Sequence, residues 1–432
     1  LTPPAPASLR LYALAAGAAS VLAPAWLRER IRQGKEDPDR WTERLGRPGQ
    51  ARPPGRLAWL HGASVGESLA LLPLAGRLRA ERPDAAVLVT SGTVASAGLL
   101  ARRLPEGALH QFAPLDTPGA ARRFLDHWRP DLGVFVESEL WPNLILGARA
   151  RGACLALLSA KLSDRSLAGW RRAPGAARAV LGAFDLLLAR DGASAERFAA
   201  LGARVDGIAD LKFGAAPLPV DLAALAKARQ GLGDRPVILA ASTHPGEEEI
   251  VLAPFRAALE SAPGPARPLL ILAPRHPIRG EAAERLARHL GLATSRRGGG
   301  ACLPDTGPDA PAVYVADTVG ELGLWRRLAR LEVLGGSLTP AGVGGHNPLE
   351  AARLACPFIA GPWTQAWPVY DALEAAGATR RVAPEDLAGW FARAIADPDG
   401  LRPMADRAAA FVAAGDAGAG EALTRVLALL AP

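Results

Sequence analysis

The chain has 432 residues, 49% of them hydrophobic, with 50 Lys and Arg against 43 Asp and Glu, a net charge of +7 and a pI near 9.9. That length implies two or three domains, and the apolar content supplies large cores and excludes intrinsic disorder. Cys154, Cys302 and Cys356 are scattered and form no C-x-x-C, which excludes a zinc-ribbon site and a disulfide framework and fits a reducing compartment.

In chain order, the first feature is "LYALAAGAASVLAPAWL", Leu11 to Leu27, 17 residues without a charge. It sits at the short limit for a membrane span, is Ala-rich, and contains Pro24, which bends a helix. The segment from Arg28 to Arg56 then carries nine Lys and Arg against five acids. An apolar run followed by basic residues predicts an N-terminal anchor helix over residues 1–27, a cytoplasmic domain behind it, and an anionic membrane surface as partner. A buried first helix and a merely solvated basic face are the alternatives.

From residue 57 short apolar runs alternate with amphipathic stretches. Strands are expected at Leu57–His61, Ala86–Thr90, Leu109–Phe112, Leu132–Val136, Ala153–Leu158 and Leu186–Ala189, with helices such as Ser68–Ala80 and Thr117–Trp128 between them. A Pro-, Gly- and Ala-rich stretch interrupts the pattern, and a second series follows at Val237–Ala241, Leu269–Leu272, Val313–Val315, Leu331–Leu334 and Pro357–Ala360. Strand and helix in alternation imply βαβ units and parallel sheets. The expected organisation is α/β: two Rossmann-like domains, 28–212 and 236–400, joined by a linker over 213–235, with helical residues 401–432 returning to the first domain. No G-x-x-x-x-G-K-[ST] is present, no G-x-S-x-G, and no G-x-G-x-x-G follows the first strand of either half, which argues against a P-loop NTPase, an α/β-hydrolase and a standard NAD enzyme.

Two stretches carry chemistry. In "LAWLHGASVGESLALL", Leu57 to Leu72, Glu67 follows an apolar strand. Ser64 to Glu67 fits the S-x-x-E capping box, in which Glu67 only finishes a helix. A carboxylate on the loop after a parallel strand is also where a general base is placed. The second stretch is "EVLGGSLTPAGVGGHNPLEAARLACPFIAGP". Gly335, Gly336 and Ser337 follow a strand, where backbone N–H groups can converge on an anion. Asn347, Pro348 and Glu350 read as N-cap, N1 and N3 of a helix. The density of glycine predicts close approach to a nucleotide. Ser242 and Thr243, and then Arg275, His276 and Arg279, fall at matching strand ends and suit a phosphate. No D-x-D metal motif follows a strand.

A nucleotide loop in the second domain and a carboxylate in the first describe a GT-B glycosyltransferase, its two parallel sheets facing a central crevice. The stretches "RWTERLGRPG" (Arg40–Gly49), "WLHGASVGES" (Trp59–Ser68), "ESELWPNLI" (Glu137–Ile145), "KLSDRS" (Lys161–Ser166), "ILAPRHPIR" (Ile271–Arg279), "LGGSL" (Leu334–Leu338) and "GGHNPLEAA" (Gly344–Ala352) resemble one family of that class. This is the 3-deoxy-D-manno-octulosonic acid (Kdo) transferases of lipid A biosynthesis.

The resemblance implies an inverting transfer of Kdo from CMP-Kdo to a hydroxyl of the lipid A precursor, with Glu67 as the base, at the cytoplasmic face of the inner membrane. It implies a donor site at Ser242, Thr243, Arg275, His276, Arg279, Gly335, Gly336, Ser337, Asn347 and Glu350, and an acceptor side at Arg40, Arg44, Ser64, Lys161 and Arg165. No cofactor, metal or nucleic acid is expected. On this reading the Glu67 side chain faces the crevice and does not cap its helix. A GT-B transferase or epimerase for another nucleotide sugar, such as a UDP-sugar, is the alternative.

Overall fold

The computed structural model describes residues 6–214, 217–261, 267–303, 310–397 and 399–430. Residues 1–5 of the expected anchor and 215–216 of the expected linker lie outside the described residues. The chain divides into two units, Leu1–Ala215 with Gly415–Pro432, and Ala216–Ala414.

The first unit is built on seven strands: β1 (Arg56–Gly62), β2 (Ala85–Ser91), β3 (Leu109–Phe112), β4 (Leu132–Val136), β5 (Cys154–Ala160), β6 (Leu186–Ala189) and β7 (Gly207–Ile208). Their order is β3-β2-β1-β4-β5-β6-β7, and every pairing is parallel. Side chains alternate across a strand. Leu57 and Trp59 therefore enter one core with Leu88, Phe124, Phe135 and Leu155. Ala58 and Leu60 enter another with Leu71, Leu74, Val87 and Val134. Both faces being covered, the strands read as continuous apolar runs.

The second unit repeats the scheme with β8 (Val237–Thr243), β9 (Leu269–Pro274), β10 (Thr294–Arg296), β11 (Val313–Val315), β12 (Leu331–Leu334), β13 (Phe358–Ala360) and β14 (Arg380–Arg381). The order is β10-β11-β9-β8-β12-β13-β14, again with all pairs parallel. Ile238 and Ala240 pack on one side, Val237 and Leu239 on the other. The interior strands coincide with the expected runs. The added strands β7, β10 and β14 are edge pieces of two or three residues with no periodicity to read.

Two expectations shift. The stretch expected as a linker contains the helix Leu222–Leu232, capped by Asp221, whose Leu225 and Leu232 enter a core of the second unit. The last helix, Arg402–Ala428, counts with the first unit only from Gly415 onward, where Ala422, Leu423 and Val426 pack beside Leu60 and Leu71.

The expected anchor is two helices, Ala7–Ala19 and Ala23–Arg32, with a 60° bend between them. The break falls at Ser20–Leu22, one residue before the Ala23-Pro24 start of the second helix. Among the described residues no single helix is long and apolar enough to cross a membrane. Leu9 is buried in the first unit's core and the Tyr12 hydroxyl donates to Asp116 at 2.9 Å, so the first helix is fastened to its domain. Several apolar side chains of the pair and its break face outward: Leu11, Leu14, Val21, Leu22 and Trp26 are 49–78% exposed, while Leu27 is fully buried.

Much of the basic segment is engaged within the fold. Arg30 and Arg44 pair with Glu36, Arg32 with Glu29 and Arg40 with Glu43. Arg52 donates to carbonyls of Trp128, Pro53 and Gly55, and Arg56 to that of Leu430. Arg28, stacked 5.6 Å from the Trp41 ring, Lys35 and Arg47 have no ion pair among the described residues.

Candidate active site

In an open parallel sheet, ligands bind beyond the carboxyl ends of the strands at the point where strand order reverses. In the first sheet that point lies between β1 and β4, in the second between β8 and β12. Glu67 follows β1 at the first of these places, and Ser242, Thr243 and Gly335–Ser337 follow β8 and β12 at the second; the other residues singled out in sequence lie beside neighbouring strands.

Beyond β1, Ser64 caps the helix Val65–Glu81 and a full capping box is present. The Glu67 amide donates to Ser64 Oγ at 3.3 Å, and Ser64 Oγ donates to Glu67 Oε1 at 2.8 Å. Glu67 Oε2 accepts from the backbone N–H of Ala63 at 2.7 Å and of Ser64 at 3.5 Å. The carboxylate is thus folded back onto its own helix start, which corrects the expectation that it would leave the cap. The two roles are compatible, because the box holds a half-buried carboxylate in a fixed place.

Its surroundings are acidic. Burial raises the Glu67 pKa, Glu139 and Glu137 raise it further, and the bonds from Ser64 and Ala63 oppose the rise. Glu139 moves the other way. Burial raises it, but hydrogen bonds from His61 and Trp141 outweigh that and leave it low. His61 Nε2 lies 3.2 Å from Glu139 Oε2, and Trp141 Nε1 donates to the same oxygen at 2.5 Å. Glu137, one residue past β4, has φ +55° and bonds Lys212 Nζ at 2.8 Å. Ser159, near the end of β5, has φ +48° and accepts the Leu211 N–H at 2.8 Å. Non-glycine residues in this region cost about 1–3 kcal/mol each and cluster at functional sites.

The expected acceptor residues divide. Lys161 and Arg165 sit just beyond β5, half-buried and exposed, and their side chains have no partner among the described residues. Ser64 is committed to Glu67. Arg44 is buried, bonded to Glu36 and to the carbonyls of Ala113, Gly92 and Ser91. Arg40 donates twice to Glu43 and once to the His110 carbonyl. Both arginines fasten the segment at residues 36–45 to β2 and β3; the buried Arg44 is spent on these contacts, which corrects its assignment, whereas Arg40, a third exposed at its side chain, uses only Nε and Nη2 in them.

In the second unit, β8 ends at Ser242 and Thr243, with Ser242 at φ +58°. The loop after β12 approaches it closely: a Cβ on Gly335 would lie 2.5 Å from the Ser242 carbonyl oxygen and 2.7 Å from the Thr243 Cα, and Gly336 has φ +71°. Gly335 thus allows the close packing of its loop against the β8 backbone, and Gly336 sits against the Val343 and His346 side chains.

The N–H groups of the loop are also engaged. Glu247, fully buried, accepts from Gly336 N at 2.6 Å and Leu338 N at 2.7 Å, and from His244 N at 2.9 Å. A protein carboxylate holds the N–H groups of Gly336 and Leu338, and Ser337 Oγ is spent on Leu334 and Gly361. The expected phosphate cradle at Gly335, Gly336 and Ser337 is therefore corrected to an internal anion nest. Arg279 is likewise bound to the buried Glu248 at 3.1 and 3.3 Å, a structural pair.

What is left open is a cluster of imidazoles and one cation. His244 and His346 stack at 5.2 Å with their Nε2 atoms 2.9 Å apart, and His276 meets His244 edge-on at 6.2 Å. Burial, then His244 and Arg275, push the His346 pKa down to about 4, so His346 is neutral at neutral pH. Arg275 and His276 are exposed, and the Arg275 guanidinium has no partner among the described residues.

Beside this cluster Asn347 Oδ1 accepts the Leu349 N–H at 3.1 Å, as expected of a helix-start residue, while the helix itself begins at Leu349 with Pro348 at the cap position, one residue later than expected. Glu350 does not cap: its Oε2 takes a 2.7 Å bond from Arg326 Nη1. Arg326 is itself buried and doubly bonded to the buried Glu332. Burial would lower its pKa, but Glu332 and Glu350 overcome this and hold the guanidinium charged. Glu350 remains about 40% exposed at its side chain, so one carboxylate oxygen is fixed and the group still meets solvent. Among the described residues no group of three or more His, Cys, Asp or Glu is placed to hold a metal ion.

Glu247, Arg326 and the His244–His346 pair were not singled out from sequence. Three consecutive acids after β8, Glu247 to Glu249, are the available signal for the first. Nothing distinguishes Arg326 from Arg327 beside it.

Comparison with known proteins identifies the family. Residues 39–215 match the family described as 3-deoxy-D-manno-octulosonic-acid transferase (kdotransferase). The chain is 36% identical over 360 residues to a probable mitochondrial 3-deoxy-D-manno-octulosonic acid transferase of Arabidopsis thaliana, covering 82% of this chain and 79% of that one. It is 35% identical to the 3-deoxy-D-manno-octulosonic acid transferase of Bordetella pertussis, covering 86% and 87%. Among solved structures, a UDP-GlcNAc 2-epimerase from Neisseria meningitidis shares the fold, with a TM-score of 0.55 at 14% identity, covering 87% of this chain and 99% of that one. The GT-B-type α/β architecture expected from the sequence is thereby borne out. The chain belongs to the Kdo transferases, a family of glycosyltransferases.

Proposed function

We propose that this Kdo transferase moves Kdo from CMP-Kdo to a hydroxyl of the lipid A precursor with inversion, and that Glu67 is the general base. In that step the Glu67 carboxylate takes the proton of the acceptor hydroxyl. The hydroxyl oxygen bonds the anomeric carbon of Kdo, and the bond from that carbon to the phosphate oxygen breaks, releasing CMP with the electron pair. The observation that carries the assignment is the Glu67 carboxylate itself. It is fixed by its capping box at the strand-order reversal, half-buried, and raised in pKa by burial and two acidic neighbours. A base is most effective when its pKa approaches the working pH.

The second unit supports a donor with one phosphate. With Glu247 in the backbone nest, the open cation is Arg275, beside His244, His276 and the neutral His346. The exposed oxygen of Glu350 suits the ribose hydroxyls. Lys161 and Arg165 are the unpaired cations left for an anionic acceptor. The exposed side chains of the two N-terminal helices support attachment to the surface of an anionic membrane, with the bent pair lying on it and not crossing it. Incubation with CMP-Kdo and a lipid A precursor, read by mass spectrometry, tests the reaction. A mass gain of Kdo with release of CMP supports it, and the same gain from a UDP-sugar instead would overturn the donor assignment.

A further inference from the structure

Behind Glu139 lies a buried chain of polar side chains for which the transfer step has so far given no use. Trp59 Nε1 donates to Thr90 Oγ1 at 2.8 Å. Thr90 Oγ1 lies 2.9 Å from His61 Nδ1 and 3.5 Å from the Leu60 carbonyl. His61 Nε2 meets Glu139 at 3.2 Å, and Trp141 Nε1 meets the same oxygen at 2.5 Å. Trp59 and Thr90 are fully buried and His61 is 2% exposed.

The proton positions follow from donor counting. A carboxylate only accepts, so His61 Nε2 carries hydrogen. Nδ1 meets the Thr90 hydroxyl, whose oxygen also takes the Trp59 N–H on a lone pair. The ring is held with Nε2–H toward Glu139, on a strand that pairs directly with β4, His61 opposite Phe135. Two donors converging on one oxygen favour the ionised carboxylate.

We propose that His61 is a positioning residue: locked by Thr90 and Trp59, and joined by Trp141, it holds Glu139 as a permanent anion that acts on Glu67 at the ends of adjacent strands. The proposal rests on the reading of Glu67 as the base. A fixed negative charge close by makes Glu67 a stronger base than an isolated carboxylate, and the capping box keeps it in place.

The groups acting on Glu67 are few. Glu139 and Glu137 come from the loop after β4, and Glu137 is offset by its bond to Lys212. From β2 and the start of the helix Val94–Arg103 come only hydroxyls, Thr90, Ser91, Thr93 and Ser96. The cations Arg102 and Arg103 are at that helix's far end, and Arg77, Arg79 and Glu81 at the far end of Glu67's own helix. Glu139 is paired with no Lys or Arg among the described residues, being held by His61 and Trp141, and two carboxylates whose surroundings drive their pKa values apart are the pattern of divided acid–base roles.

The test is the pH profile of kcat/KM for Kdo transfer by the full chain, whose acid limb reports the base of the free enzyme. Glu139→Gln should move that limb to lower pH, on the order of 0.5–1 unit for one neighbouring charge near a protein surface. His61→Leu should move it in the same direction, and His61→Gln, which keeps an N–H toward Glu139, should restore most of the wild-type position. Because His61 is buried, melting curves accompany these variants. Trp141→Phe, at a 41% exposed position, gives a smaller shift of the same sign if His61→Leu does not fold. An inactive Glu67→Gln enzyme together with an unmoved acid limb in Glu139→Gln overturns this proposal alone. A fully active Glu67→Gln enzyme overturns the base assignment, and this proposal with it.

Discussion

Arg326 holds Glu350 by a 2.7 Å bond from Nη1 to Oε2 while its other nitrogens grip the buried Glu332. One guanidinium thus converts a helix-start acid into a fixed acceptor at the edge of the histidine cluster.

Breaking that arrangement separates stability from binding. Arg326→Met strands Glu332 in the core and should cost about 3–5 kcal/mol. The double variant Arg326→Met, Glu332→Met should regain most of that, since well-packed apolar residues replace buried ion pairs at little cost. Both should bind CMP more weakly, as should Glu350→Ala, by roughly ten- to a hundredfold for a lost charge-assisted hydrogen bond of about 1.5–3 kcal/mol. Calorimetric titration with CMP alongside thermal melts checks both. Unchanged CMP affinity in Glu350→Ala would leave the Arg326 network as a fold element only.

Glu247 predicts a different failure. Glu247→Gln keeps the volume but offers one acceptor oxygen where the carboxylate offers two, for three N–H groups. At least one buried N–H loses its partner, at a cost of about 1–3 kcal/mol. The Gly336–Leu338 turn should loosen, seen as faster amide exchange there, with CMP affinity falling in parallel. Protection unchanged at Gly336 and Leu338 would show that the carboxylate does not set the loop.

The raised pKa of Glu67 has a sign that a melt can read. A carboxyl raised on folding favours the protonated native state. Its contribution to stability is full below the unfolded carboxylate pKa and is lost as pH rises through the folded value. Glu67→Gln keeps the capping box, in which Gln also serves, and removes that loss. Its Tm should match wild type in acid and exceed it increasingly as pH climbs above the ordinary carboxylate range toward neutrality. A variant less stable than wild type at neutral pH would show that the ionised carboxylate is a net stabiliser.

The N-terminal helices make a prediction about surfaces. Leu14 and Leu22 are 72% and 70% exposed, and burying a leucine is worth about 1.5–3 kcal/mol. Leu14→Asp with Leu22→Asp should reduce co-sedimentation with anionic vesicles by roughly tenfold or more while leaving the melting temperature unchanged. Binding that survives both charges would place the contact elsewhere.

Much of the fold was legible because both faces of each sheet are buried. Leu132–Val136 and Val313–Val315 are unbroken apolar runs, and their bounds agree with the strands found. The short strand Arg380–Arg381 carries no such signal. Glu67 was legible as a strand-end acid, but its neighbours were not, because Glu139 and His61 are 78 positions apart and meet only through the pairing of β1 with β4. Arg40 and Arg44 looked available in sequence. The spacing of Arg40 to Glu43 already allowed an internal pair, and the carbonyls that capture Arg44 come from β2 and the end of β3. The glycines after β12 read as ligand space, while in the structure the approaching backbone is that of Ser242 and Thr243.

The central claim is that one carboxylate, Glu67, takes the proton in Kdo transfer. Its most direct measurement is the turnover of Glu67→Gln with CMP-Kdo and a lipid A precursor, taken with its Tm and its CMP affinity. A general base contributes about 10²–10⁴-fold, so turnover should fall by that factor while Tm is equal or higher and CMP binding is unchanged. A Glu67→Gln enzyme that turns over within a few-fold of wild type would contradict the account and leave Glu67 as the cap of its helix.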